Sequence, residues 1–94
     1  MNIRSKHSTE KPVSAIPFFE GKGSTKALQI LQSQQLKEHS TDVPALLVCV
    51  IGEVVFENEN GMKEILQSGD YVNIEPLVKH WVIANQDSQL LLLK

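Results

Sequence analysis

Short runs of β-branched and aliphatic residues, each cut off within a few positions by turn-forming residues, constrain this chain more than any other feature. From Ala45 to Phe56 the residues Leu47, Val48, Val50, Ile51, Val54, Val55 and Phe56 favour strand, and Gly52 among them predicts a bend or bulge. Asn60-Gly61 is the strongest hairpin signal, because both residues tolerate the positive φ of a type I′ turn. Met62 to Leu66 then returns as a strand. Ser68-Gly69-Asp70 turns again, Tyr71 to Ile74 forms another strand, and Glu75 to Lys79 is a loop around Pro76. Trp81 to Ala84, a turn over Asn85 to Ser88, and a last strand from Gln89 to Leu93 complete the pattern. Turns spaced about eight to twelve residues apart predict an all-β sandwich or barrel.

The amino-terminal third is less regular. Residues 1–11 are polar and read as a flexible tail, so the single domain is expected over residues 12–94. Val13, Ala15, Ile16, Phe18 and Phe19 supply apolar surface, and Pro17 limits that segment to an edge strand or an extended lead-in. It is expected to pair with an edge strand, of this chain or of a neighbouring subunit. A turn follows at Gly21 to Ser24. Thr25 to Glu38 could be read as a helix from its Gln and Leu content, but it lacks sustained helical spacing, and the extended reading is preferred.

Composition narrows the function classes. The 94 residues, 41% hydrophobic, suffice for one core but leave a thin stability margin that dimerisation would supplement. A net charge of -2 and a pI near 5.9 argue against a general nucleic-acid binder. One cysteine makes no internal disulfide. The longest apolar run, Ala45 to Ile51, is too short to span a bilayer, and the basic residues near Met1 have no apolar stretch behind them. A cytoplasmic protein without a membrane or nucleic-acid partner is the expectation. Gly21-Lys22-Gly23-Ser24-Thr25-Lys26 lacks phosphate-loop spacing and reads as a flexible turn. The glutamates Glu53, Glu57, Glu59 and Glu64 read as solvated edge charges.

The histidines are the residues most able to carry chemistry. His7 lies in the expected tail. His39 precedes the long apolar strand, and strand alternation puts His80, Val82 and Ala84 on one face with Trp81 and Ile83 on the other. Spacing alone does not say whether His39 and His80 meet. Trp81 is expected between sheets or at a dimer contact.

From Leu36 to Leu93 the chain resembles the small single-domain cupins. His39 stands thirteen residues before Gly52, the separation of the first histidine and the glycine in the first cupin motif. The run LQSGDYVNIEPLVKHWVIA, with Gly69-Asp70, a proline loop and His80, resembles the second motif. There Pro76 falls one position late and Leu77 takes the place of the usual loop glycine. The resemblance implies a double-stranded β-helix, or jelly-roll barrel, with an interior pocket, to which this chain adds an extended amino-terminal segment, but it implies little about activity.

Where cupin enzymes hold a divalent transition metal with three histidines and a glutamate, this chain has His39, Thr41, Ala45 and His80. Two ligands of four would bind metal weakly without a further group. Cys49 shares the inward face with Ala45 and Leu47 on the resemblance, but at roughly 13 Å along the strand it cannot stand in at Ala45. It reads as a small buried hydrophobe.

Three functional readings follow. In the first, a non-catalytic or weakly catalytic cupin binds a small molecule, with His39, Thr41, Tyr71, Asn73 and His80 as polar contacts and Leu47, Val82 and Ala84 as apolar wall. In the second, His39 and His80 ligate a transition metal in an oxygenase or isomerase. In the third, the chain is a structural or regulatory dimer without a ligand, which a barrel filled by its own side chains would favour.

Overall fold

Alternation along nine strands gives the molecule two apolar sheet faces, and burying them against each other makes the core. A computed structural model describes residues 1–94. The strands are β1 (Val13–Glu20), β2 (Ser24–Ile30), β3 (Gln35–His39), β4 (Ala45–Ile51), β5 (Glu53–Asn58), β6 (Lys63–Gln67), β7 (Tyr71–Ile74), β8 (His80–Ala84) and β9 (Ser88–Leu93). Every pairing is antiparallel. One sheet runs β1-β2-β9-β4-β7 and the other β3-β8-β5-β6. The architecture is the expected all-β jelly roll.

The core alternates as the pleat requires. Leu28 and Ile30 of β2, Ala45, Leu47 and Cys49 of β4, and Leu90 and Leu92 of β9 meet Val54 and Phe56 of β5 and Val82 and Ala84 of β8. Gly52 is the corner by which the chain leaves one sheet for the other, between β4 and β5, with φ at +100°. A side chain there would strike Ser88 and the Asp87 carbonyl. The bend expected at Gly52 is therefore a sheet-to-sheet crossing that needs both positive φ and an absent Cβ.

The structure decides some of the open expectations and changes others. The segment from Thr25 to Glu38 forms β2 and β3 with a tight turn between them, so the helical alternative is excluded. Val13–Glu20 pairs with β2 of its own chain as an edge hairpin, with Pro17 on the edge strand and a register irregularity just after it. The polar first eleven residues, expected as a tail, lie against the sheet: Ile3–Lys6 make a 3-10 turn capped by Asn2, and His7 is buried. Only Gly61 of the Asn60-Gly61 pair has positive φ. The Asn58 side chain accepts from the Asn60 and Met62 amides, which widens the loop beyond a two-residue type I′ turn. Trp81 lies on the outer face of β8, where its indole N–H donates to Glu57 Oε2 at 2.8 Å, so it does not pack between the sheets. No helix is long or apolar enough to cross a membrane.

Candidate functional site

The end of the barrel where β5 and β7 finish and β8 begins holds the chemistry the sequence pointed to. Strand register places His39, the last residue of β3, opposite His80, the first of β8. The same strand pairs His80 with Asn58 on its other side. The two imidazoles touch: Nε2 to Nε2 is 3.0 Å, and the ring centroids are 4.1 Å apart in an edge-on arrangement. His80 is fully enclosed and stacks on Phe56 with 5.6 Å between centroids. His39 is half-buried.

Partner chemistry fixes the protons. His39 Nδ1 lies 2.9 Å from the Lys37 carbonyl and His80 Nδ1 lies 3.2 Å from the Val78 carbonyl. A carbonyl oxygen only accepts, so both Nδ1 atoms carry hydrogen. The Nε2 pair can then bond only if one of the two nitrogens is also protonated. A hydrogen on either Nε2 completes the contact, and the ring that then carries two hydrogens is an imidazolium. Burial is the largest influence holding the His80 pKa below its ordinary value; the Val78 carbonyl opposes this, and the His39 and Lys94 charges add to it.

The loop leading into His80 is strained. Leu77, where the resemblance called for glycine, sits at φ 65°. Its amide donates to the Thr41 carbonyl at 2.7 Å, tying the β3–β4 and β7–β8 loops together across this end. The leucine side chain is 76% exposed. Left-handed backbone in a non-glycine residue costs energy, and such residues concentrate where a site dictates the path of the chain.

Beside His80 is a hollow of about 40 Å³ lined by Phe56, Asn58, Met62, Asn73, Ile74, Glu75, Val78 and His80. That is room for one or two water molecules, against the several hundred Å³ of pockets that enclose a whole small molecule. Of the residues expected to line a pocket, His80 and Asn73 do so. Leu47 and Val82 belong to the packed core. Thr41 is buried, but its hydroxyl donates to the Val43 carbonyl at 2.6 Å and is bonded to neither imidazole. Tyr71 is displaced from the expected position. Val72 and Ile74 take the inward places on β7, leaving Tyr71 63% exposed on the outer face. Phe56, Asn58, Met62 and Glu75 were not anticipated. The inward alternation of Phe56 and Asn58 was legible, but their pairing with β8 was not.

The donor set does not fit a resident transition metal. No group of three or more His, Cys, Asp or Glu side chains converges anywhere in the chain. Ala45 lines the core, the Thr41 hydroxyl is occupied, and the Cys49 thiol sits in the core with its pKa raised to about 11, by burial first and then by Asp70 and Glu53. Two imidazoles alone leave a metal short of the three protein ligands usual for an open site.

No family model matches the chain, and no curated protein does. Solved structures do match. A cupin-2 domain containing protein from Shewanella frigidimarina superposes with TM-score 0.81 at 15% identity, covering 100% of this chain and 92% of that one. The fold is the cupin fold. A cupin superfamily protein from Desulfitobacterium hafniense gives TM-score 0.83 at 13% identity over 94% of this chain and 81% of its own. An RmlC-like cupin protein from Desulfovibrio desulfuricans gives 0.78 at 17% identity, over 89% and 82%. Likeness at this identity establishes the cupin architecture and leaves function to the site.

Proposed function

We propose that this cupin-fold protein is a non-catalytic binder of a small molecule, taking a compact anionic end group at the barrel mouth with the His39–His80 pair as its anchor. The observation that carries the reading is the 3.0 Å contact between the two Nε2 atoms, which brings two imidazoles together beside the hollow. No ring nitrogen is free: both Nδ1 atoms lie against backbone carbonyls, and the two Nε2 atoms lie against each other. A ligand must therefore displace the contact between the rings, and a carboxylate is chemically suited to accept from an imidazole N–H so released. The hollow limits what enters to a group of a few heavy atoms, with the rest of the molecule outside.

The test is a nuclear magnetic resonance titration with formate, acetate and lactate. Shifts of the His39 and His80 ring resonances, absent in His80→Gln, support the reading. Unchanged rings at high millimolar concentration of all three refute it. The barrel interior, filled by fourteen buried apolar side chains, favours a second reading, a structural or regulatory protein with no ligand, which the same null titration would support. Neither reading routes a step through a metal. A homodimer is part of both, with Phe18 and Phe19 of the exposed edge strand as candidate contact residues. Light scattering that returns 10.5 kDa at high micromolar concentration would refute it.

A further inference from the structure

The outer face of the five-stranded sheet carries a polar row that ought to be wet and is not. Leu28, Ile30 and Leu90 point into the core, so Gln29 and Gln89 point outward. Register aligns Ser14 with Gln29 and Gln29 with Gln89, across β1, β2 and β9. Gln29 is only 5% exposed and Gln89 3%, although no second sheet lies on that side. Residues 1–11 supply cover. Gln29 Nε2 donates to the carbonyls of Ser8 and Lys11, each at 3.1 Å, and Gln89 Nε2 donates to Gln29 Oε1 at 2.8 Å. His7 Nδ1 is bonded to the Ser14 hydroxyl, and the ring is 9% exposed.

We infer that residues 1–11 are an acid-released strap over this row, with His7 as its pin. The two buried side-chain polar atoms without a partner are His7 Nε2 and Gln89 Oε1, both in this layer. Neutral His7 leaves one ring nitrogen unbonded there. Protonated His7 carries N–H on both nitrogens and a full charge, with no acceptor opposite Nε2. The elements packed against it offer no compensating charge: β1 presents Ser14, β2 presents Gln29 and β9 presents Gln89. Glu20 and Lys26 on those strands and Lys94 just beyond β9 are exposed, as are Arg4, Lys6, Glu10 and Lys11 on the strap itself. The sole ion pair in the molecule, Lys63 with Glu57, is on the other sheet.

Burial accordingly lowers the pKa of His7 in the closed strap below its ordinary 6.5. The released strap binds the proton more tightly, so closure is fully favoured above that ordinary value and weakens as pH falls through the closed-state value. Between pH 7.5 and 5 the open-to-closed ratio rises by up to about thirty-fold. Acid then frees residues 1–11 and wets the Ser14–Gln29–Gln89 row while both sheets stay intact.

Amide spectra and heteronuclear Overhauser effects of the full chain over that pH range test the strap. The expected result is loss of order confined to residues 2–11, sharing a midpoint below 6.5 with the His7 ring titration, while Val54 and Leu90 keep their shifts. In His7→Gln the order of the strap becomes independent of pH over this range, whether that variant is closed or open. A His7 midpoint at or above 6.5, a strap still ordered at pH 5, acid release persisting in His7→Gln, or strap and core lost together would each overturn the inference.

Discussion

Gly52→Ala tests the physical account of the fold at its sharpest point. Two penalties meet at this corner. The backbone sits at φ +100°, where an L side chain is strained, which costs about 1–2 kcal/mol. The new Cβ would also lie 2.5 Å from the Asp87 carbonyl oxygen and 2.8 Å from Ser88 Cα, against backbone that cannot rotate away. Overpacking of that kind costs about 1–3 kcal/mol. The sum, roughly 2–5 kcal/mol, is a large part of the ~5–14 kcal/mol expected for a domain of this size. Gly61→Ala is the control, because Gly61 has φ +87° but nothing within 4 Å of an added Cβ. It should lose only the backbone part, about 1–2 kcal/mol. The entropy alanine removes from the unfolded chain is common to both and cancels in the comparison. Urea and thermal denaturation of the two variants measure the difference, at about 4–8 °C per kcal/mol. Equal losses for the two variants would refute the close approach at Gly52. Rescue by Ser88→Ala, which removes the Ser88 hydroxyl and leaves the Asp87 carbonyl in place, would refute the assignment of the clash to backbone.

The other predictions concern the barrel mouth and the core. Leu77→Gly relieves left-handed strain at an exposed position and should stabilise the fold by about 0.5–1 kcal/mol, the backbone gain less the entropy glycine adds to the unfolded chain; a lower melting temperature would contradict this. Cys49, fully buried with its thiol pKa raised to about 11, should resist an aromatic disulfide reagent at pH 8 until the fold opens, whereas rapid native labelling would contradict its place in the core. His80 has its pKa lowered by burial, so it contributes stability that is present above the unfolded value near 6.5 and lost as pH falls through the folded one. The drop in melting temperature between pH 7.5 and pH 5 should therefore shrink in His80→Gln. An unchanged drop would show that His80 does not bind its second proton in that range.

The sequence by itself determined the strands and the corners. Alternation, Gly52, Gly69 and the Asn60-Gly61 loop are local properties of the backbone and of side-chain shape, so β4 to β9 lie within a residue or two of where the pattern put them. It showed leucine at position 77 where the cupin pattern has glycine, and the structure showed that leucine held at φ 65°. Everything that depends on register across distant strands was decided by tertiary structure. His39 and His80 are separated by forty other residues, and only the pairing of β3 with β8 makes them one group. Tyr71 left the site because Val72 and Ile74 claim the inward places on β7, a choice of one residue's parity that core packing makes. Residues 1–11 look like a tail in composition because they hold so little apolar surface, and their polarity says nothing of Gln29 and Gln89. A row of buried amides across β2 and β9 exists only after those strands pair, and only then do backbone carbonyls of the polar segment have something to bond. Local chemistry fixed what each segment could be, while long-range register fixed which polar atoms would meet.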